Sequence, residues 1–481
     1  MVMQNNNKIY LIKLDDETGE MIPPFGLLYV GGKLRSAGYE IRIIHAGQKT
    51  ISGKVEEIIQ DEPLFIGFSV ITGSPTASSV QISQRIKAKS KIKIVWGGVH
   101  PSLLPRQCLA EDYIDFVILQ EGEETALELA NHLSSGNYRF AEINGLGYKD
   151  NGRVAINNQR PLNSELKGSR MDFGLINLNK YIQESSIQIE GRREKIRKLS
   201  YISSRGCPHN CGFCYNLKFN KRQWRYFPEN VVYEDIQYLK EKYKINAVHF
   251  WDDNFFVNKP RALNILNHIA VFPEFELRID YITEELAAEF KKLNTINLLI
   301  GAESGSDRIL KLMNKGFSKA LMLDKARIMA KYNLSVLYSF MLGTTTETKE
   351  ELYQTIDLIA EISRIHKNSS FTVGMYMPYP GTELYQLAIK EGFTPPARIV
   401  DWQFIDRWRN TVPLPWIDKD ICRSIRYFSA LLSNKNHLLR VWSLFRLKKK
   451  ILKFKLDIKF VTLLRIIKKL FVTKNEFTHR K

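Results

Sequence analysis

The chain has 481 residues, with 70 Lys and Arg against 51 Asp and Glu, a formal net charge of +19, 44% hydrophobic and 25% charged residues. This composition excludes a disordered, collagen-like or disulfide-stapled secreted protein, and at roughly 100 to 200 residues per domain it predicts about two to four domains. The opening residues lack the order of a signal peptide and no stretch reaches roughly 18 uninterrupted apolar residues, so a cytoplasmic protein is expected.

Residues 1–140 alternate apolar strands with helical patterns. In order these are KIYLIKL (strand), FGLLYVGGKLRSAG (helix, ended by Gly38), EIRIIHA (strand), VEEIIQDE (helix), LFIGFSV (strand), ASSVQISQRIKAK (helix), KIKIVWGG (strand), FVILQE (strand) and EETALELANHL (helix). The alternation predicts an α/β domain of the doubly wound, Rossmann-like class, with parallel strands covered by helices on both faces. Ligands of such sheets lie outside the carboxyl ends of the strands, which points to the loops Ser69 to Pro75, Gly97 to Pro101 and Glu121 to Glu123. Gly97 and Gly98 let a backbone approach a flat ligand, and Ser69, Thr72 and Ser74 offer hydroxyls. All of them are equally at home in the turns of a flavodoxin-like sheet. His100 reads as a polar loop residue before it reads as a ligand. No GxGxxG opens the first helix, which speaks against a dinucleotide site of the usual type.

Residues 141–195 change character: turns around GLGYKDNGRVAINNQRP predict a small hairpin, and the polar stretch ending in GRREKIRK reads as an interdomain linker. A strand then runs into the loop LSYISSRGCPHNCGFCYN, where Cys207, Cys211 and Cys214 are spaced CxxxCxxC. Three thiolates this close, flanked by Gly206 and Gly212, can wrap one face of a four-iron four-sulfur cluster and leave its fourth iron without a protein ligand. Structural zinc would need a fourth ligand, and His209 inside the loop lacks the usual finger spacing. Buried inert thiols are the remaining alternative, which three Cys in one polar, glycine-flanked loop fit poorly. Cys108 and Cys422 stand alone and read as structural thiols.

With Phe213 just before the third Cys, CxxxCxxC resembles the radical S-adenosylmethionine superfamily. In that family the open iron binds the amino and carboxylate groups of S-adenosylmethionine, and reductive cleavage yields a 5'-deoxyadenosyl radical. The resemblance implies a partial (βα)6 barrel over residues 196–400. Its repeats are NVVYEDIQYLKEKY, NAVHFWDDNFF, FELRIDYI, INLLIGAESGS, LSVLYSFMLG and SFTVGMYMPYPG, with chemistry at the strand ends. Asp252 and Asp253 close the AVHFW run, where the family holds the amino group of S-adenosylmethionine; on the residues alone they equally cap the next turn. Glu303 and Ser304 end INLLIGAES, and similar GxES segments bind the ribose hydroxyls, although a lone glutamate reads first as an ion-pair partner. Arg278 and Asp280 suit either a carboxylate or substrate, or a mutual salt bridge. MLGTTTETKEE resembles the fifth-strand GxPxET element, with Thr345 in place of the usual Pro. Pro378, Pro380, Gly381 and Thr382 match the sixth-strand motif, whose task is backbone shaping.

The segments LFIGFSVITGS, VWGGVHPSLLP and IDFVILQEGEET resemble the cobalamin-binding domain that precedes the barrel in one large subfamily, so the resemblance spans roughly residues 8 to 400. It implies cobalamin held by the loops of Ser69, Thr72, Gly97, Gly98, Glu121 and Gly122. The DxHxxG motif that supplies an axial His in other cobalamin domains is absent, and Gln120 stands where the GEGE element usually has Gly. The activity implied is methyl transfer from S-adenosylmethionine by way of methylcobalamin to an unactivated carbon, after hydrogen abstraction by the deoxyadenosyl radical. Oxidative cyclisation and rearrangement occur in the same subfamily. A non-catalytic zinc- or cluster-binding protein at a membrane surface is the alternative from a different class. The implied partners are a small-molecule or lipid-like substrate and an external electron donor of flavodoxin or ferredoxin type.

Residues 401–481 read as a helical, basic C-terminal region. From Asn436 to Lys481 there are 14 Lys and Arg against Asp457 and Glu476, so this stretch holds +12 of the +19. In FVTLLRIIKKLF the apolar Phe460, Leu463, Leu464, Ile467, Leu470 and Phe471 share one helical face and Arg465, Lys468 and Lys469 another, the pattern of an interfacial helix drawn to anionic lipid. Packing on the barrel and a solvated basic face are the plainer alternatives, and packing is expected for Trp442 to Phe445. Peripheral contact with the inner membrane surface follows from the first reading; nucleic acid is not expected, since no reading motif accompanies the charge.

Overall fold

Strands covered on both faces must be apolar at nearly every position, and the inner strands of the first parallel set meet that condition, while its edge strand exposes Glu40 and Arg42. β1 (Lys8–Asp15), β2 (Glu40–Gly47), β3 (Phe65–Ser69), β4 (Lys93–Gly97) and β5 (Phe116–Ile118) run parallel, and the hairpin of β6 (Leu146–Asp150) and β7 (Arg153–Ile156) adds to β5 antiparallel. The sheet order is β2-β1-β3-β4-β5-β6-β7. The hairpin read from the 141–160 turns therefore belongs to this sheet, because Leu146, Gly147 and Tyr148 find ladder partners on β5. The computed structural model describes residues 7–15, 22–164, 166–189, 192–406, 414–433 and 437–452. Alternate residues of the sheet feed two cores. Ile9, Leu11, Phe65, Val95 and Ile118 meet the helices Phe25–Ser36 and Glu123–Ser135, while Tyr10, Ile12, Ile66, Phe68 and Trp96 meet the helix Ser74–Lys89 and its neighbours.

The second sheet is a curled half-barrel. Beyond β8 (Gln183–Ile189) come β9 (Arg192–Tyr201), the short pair β10 (Ser204–Arg205) and β11 (Arg225–Tyr226), then β12 (Ala247–Phe250), β13 (Phe272–Leu277), β14 (Asn297–Glu303), β15 (Val336–Leu342) and β16 (Ser369–Met375). The order is β16-β15-β14-β13-β12-β9-β8, parallel from β9 to β16 with β8 antiparallel at the edge. Leu199, Val248, Phe275, Ile300, Phe340 and Phe371 lie in one buried core with the outer helices. Because side chains alternate along a strand, Ser200, His249, Glu274 and Gly301 belong to the opposite, lumen-facing set. The helix Lys349–Ile365 begins at a capping box, Thr348 with Glu351.

The chain after the barrel ties the two sheets together. The turn of helix Ile399–Phe404 packs on Ser74–Lys89; Trp402 Nε1 donates to Gln107 Oε1 (2.9 Å), and Gln107 Nε2 donates to the carbonyls of Pro396 (3.0 Å) and Ala397 (2.8 Å). Helices Lys419–Leu432 and His437–Lys448 close over β16 and Lys349–Ile365. In the last of these Ser443 and Leu447 are buried and Trp442 meets Phe428 edge-on at 5.3 Å, whereas Leu438 is 77%, Val441 51% and Phe445 52% exposed. Packing thus covers Trp442 but not Phe445. The basic amphipathic segment Phe460 to Phe471 lies outside the described residues. Among the described residues no helix is long and apolar enough to cross a membrane.

Candidate active site

The Cys loop is the connection between β10 and β11, whose antiparallel rungs pair Ser204 with Tyr226 and Arg205 with Arg225. Gly206 opens the loop with φ +83°, and a Cβ there would sit 2.1 Å from the Gln223 carbonyl oxygen. Cys207, Cys211 and Cys214 are free, half-buried thiols. Burial pushes the Cys207 thiol up and that of Cys214 up to about 12, so thiolates here need a strongly cationic partner, which an iron-sulfur cluster supplies. Arg278 directs Nη1 at the Cys211 sulfur (3.8 Å) while holding Asp280 in a two-point pair (3.0 Å each), the kind of donor that tunes a cluster sulfur. His209 is no fourth ligand: its Nε2 lies 2.8 Å from the Tyr281 hydroxyl, and burial, with Arg278 nearby, lowers it to about 4. Among the described residues no group of three or more His, Cys, Asp or Glu is disposed to hold a single metal ion.

The strand-end residues are engaged by the chain itself. Asp252 accepts from the Ser203 amide (2.7 Å), the Ser203 hydroxyl (2.7 Å) and the Ser204 hydroxyl (2.5 Å), and burial lifts it to about 6. Asp253 accepts from the Gly206 amide at 3.0 Å, so it fixes the residue just before Cys207; burial raises its carboxyl too. Glu303 takes φ +64°, unusual for a non-glycine residue, and receives Lys315 Nζ at 3.2 Å. The same ammonium lies 5.8 Å from the Phe213 ring centre. Ser304 turns away, toward Thr355 Oγ1 (3.4 Å) and the Ser306 amide (3.1 Å). After β15, Glu347 accepts from the Gly343 and Thr344 amides and is pushed by burial up to about 8. It shapes that turn where Thr345 replaces the family's Pro.

A cavity of about 380 Å³ opens between the two sheets. Leu11, Phe65, Gly67, Val95, Ile118 and Ala126 form its apolar wall; Ser69, Gly97, Gly98, Glu121 and Gly122 form its rim; Arg205, Gly206, Trp251, Asp252 and Asp253 close it from the barrel. Of the residues expected at a flat ligand, Thr72 and Ser74 fall outside this lining; the Thr72 hydroxyl is held instead by Nδ1 of buried His100 (3.1 Å). Glycine is required at Gly98, which has φ +96° and where a Cβ would lie 3.0 Å from the Val70 carbonyl oxygen; at Gly67 a Cβ would come 2.9 Å from Leu11 Cδ2, which would have to shift. An apolar slot opening on polar, glycine-bearing loops suits the face of a flat, largely apolar macrocycle.

Three residues that matter most to this geometry carry no motif: Arg205, Arg225 and Lys315, which are 4 to 13% exposed at the side chain in their ion pairs. The one sequence signal was the position of Arg205 directly before Gly206 and Cys207.

Comparison with known proteins bears on both halves. Residues 201–359 match the family described as the radical SAM superfamily and residues 14–130 the B12 binding domain. An uncharacterized methyltransferase of Pyrococcus horikoshii is 30% identical over 377 residues, 76% of this chain and 78% of that protein. The anaerobic magnesium-protoporphyrin IX monomethyl ester cyclase of Cereibacter sphaeroides is 24% identical over 379 residues, 76% of this chain and 60% of the cyclase. In fold, the chain is similar to the radical S-adenosylmethionine methyltransferase TsrM of Kitasatospora setae, solved with cobalamin and a [4Fe-4S] cluster bound. That match has a TM-score of 0.64 at 15% identity and covers 92% of this chain and 98% of TsrM.

Proposed function

Because the chain belongs to the radical S-adenosylmethionine superfamily and carries a B12-binding domain ahead of the barrel, we propose that it transfers a methyl group from S-adenosylmethionine, through cobalamin, to an unactivated carbon of a small molecule. The observation that carries this reading is that the rim loops Gly97, Gly98 and Glu121 and the base of the Cys loop, Arg205 and Gly206, line one cavity. When bound, the reduced cluster supplies the electron that cleaves S-adenosylmethionine to a carbon radical, and the corrinoid carries the methyl group. Cys207, Cys211 and Cys214 would hold the cluster, with Arg278 donating toward the Cys211 sulfur. Asp253 holds Gly206, and through it the direction in which the loop leaves β10. The apolar wall would keep water from a reactive carbon centre, and the rim residues Gly97, Gly98 and Glu121 would hold the corrinoid. Phe213 and Glu303 are assigned to the S-adenosylmethionine end of the lumen, while Ser304, fully buried against Thr355, shapes the turn behind Glu303. For Glu303 that role requires an exchange of Lys315 for ligand hydroxyls. An external one-electron donor of flavodoxin or ferredoxin type and a cytoplasmic setting complete the reading.

The test is an anaerobic incubation of protein reconstituted with iron, sulfide and cobalamin, together with a low-potential one-electron reductant, S-adenosylmethionine labelled in its methyl group and an extract of small metabolites. The expected result is 5'-deoxyadenosine together with one product that gains the label. Deoxyadenosine without label transfer would overturn methyl transfer in favour of radical chemistry of another kind, such as the cyclisation for which its cyclase relative is named, and absence of both products would refute the proposal.

The exposed Leu438, Val441 and Phe445 and the +12 carried from Asn436 to Lys481 support peripheral docking on an anionic bilayer, which would bring a lipid-like substrate within reach. Full-length protein is expected to cosediment with vesicles containing anionic lipid, and less so at high salt. Removal of residues after Leu456 should abolish cosedimentation; unchanged partition would dismiss membrane contact.

A further inference from the structure

The strongest unexplained feature is the contact between the loop Gln120–Glu123 and the Cys loop. Gln120 is 8% exposed and holds φ +59°, a conformation that costs a non-glycine residue something and persists only where contacts impose it. Its amide nitrogen donates to Ser102 Oγ (2.8 Å), and its side-chain Nε2 crosses to the barrel to meet the carbonyls of Phe219 (2.8 Å) and Lys218 (3.4 Å), in the short helix just after Cys214. Glu121 receives both arginines at the base of the loop, Arg205 at 2.9 Å and Arg225 at 2.7 and 2.8 Å. Glu123, in the first turn of its helix, takes the other nitrogen of Arg205 at 2.7 Å. The Arg205 guanidinium stacks 4.2 Å from the centre of the Tyr29 ring, and Tyr29 in turn lies flat on Phe227 at 5.4 Å. Burial alone would raise the Glu121 carboxyl, yet Arg205 and Arg225 outweigh it and hold it low.

We propose that Gln120–Glu123 is a latch coupling the two cofactor sites, so that filling either one tightens binding at the other. Residues 206–224 carry little regular structure, and ordering them costs conformational entropy that ligation of the three thiols must offset. The latch grips this stretch at both ends, the Arg205 and Arg225 base and the Lys218–Phe219 carbonyls, with residues that also line the corrinoid rim. A loop ordered by its cluster therefore presents Gln120, Glu121 and Gly122 already placed, and a filled corrinoid site presents the loop with its anchors. Linkage makes the effect equal in the two directions.

Coupling of this kind rests on the proposed reading that both cofactors bind, and the test separates the two. Affinity for hydroxocobalamin is measured anaerobically by equilibrium dialysis, with protein stripped of iron by a chelator and with the same protein after cluster reconstitution. The reconstituted wild type should bind roughly 5- to 150-fold more tightly than the stripped form. Gln120→Gly suits the positive φ and keeps the fold, which its circular dichroism should confirm; in it the ratio should fall by about fivefold, the worth of a hydrogen bond. Glu121→Gln should lower the ratio likewise. A merely structural role would weaken both forms equally and leave the ratio unchanged. Equal affinities in stripped and reconstituted wild type, or full coupling in both variants, would overturn the latch; no binding in either form would overturn the corrinoid site with it.

Discussion

Cys211→Ser is expected to reduce bound iron from about four per chain to less than one, and deoxyadenosine formation to background, with the fold intact. A hydroxyl is a far poorer ligand for iron than a thiolate, and with two protein ligands remaining a cube of four irons has two corners open to exchange. Arg278, which now points at the sulfur from 3.8 Å, would keep its pair with Asp280 and so would not itself unfold the site. None of the three loop thiols belongs to a hydrophobic core, in contrast to Cys108 and Cys422, each fully buried. Ala at either of those two should lower thermal stability while leaving iron content alone. Iron and acid-labile sulfide analysis of the anaerobic proteins checks both halves. A Cys211→Ser protein that retained a full cluster and made deoxyadenosine would remove the basis of the proposed chemistry.

Gly206→Ala should be nearly as damaging by a different route. The new Cβ would meet the Gln223 backbone oxygen at 2.1 Å, in a residue at φ +83°, and no side-chain adjustment relieves a clash between two backbones. The β10–β11 pair has to open, which separates Arg205 from Arg225 and frees Gly206 from Asp253. A loss on the order of 3 kcal/mol or more is expected from strain and broken pairing together, seen as a lower midpoint in denaturant and a failure to retain cluster. Gly212→Ala is the control. Its Cβ would find nothing nearer than 3.6 Å, so stability should change by less than about 0.5 kcal/mol and iron should stay. Equal behaviour of the two variants would show that the turn at Gly206 is not what shapes the loop. The sequence alone treats these glycines alike, since both flank a Cys; the positive φ of Gly206 and the Gln223 carbonyl distinguish them.

What was legible along the chain was whatever depends on near neighbours. The alternation from KIYLIKL to EETALELANHL was enough for a parallel, doubly covered sheet, because burial on both faces demands continuous apolar strands. The spacing of Cys207, Cys211 and Cys214 was enough to bring out the likeness to the radical SAM superfamily, because a tripod of sulfurs on one short loop is a local property. Gly97 and Gly98 were legible for the same reason as a close backbone turn, Gly98 holding φ +96°. The hairpin of β6 and β7 was visible as turns, yet its place in the first sheet was not, since that depends on which strand edge lies open to it.

Charges behaved differently. Asp252 and Glu303 looked available for a ligand, and the structure shows them answering Ser203, Ser204 and Lys315; Gln120 looked like a defect in a glycine motif and proves to span the two domains. A buried ionic or amide group is defined by a partner, and here the partners of Glu121 and Gln120 lie about a hundred positions away in the chain. The sequence by itself therefore determined the first sheet through periodicity and, through its Cys spacing and strand-end motifs, the resemblance that gives the two domain types. Which polar groups are free and which are already spent was decided only when folding brought distant segments into one low-dielectric space, where an unpaired charge is too costly to persist.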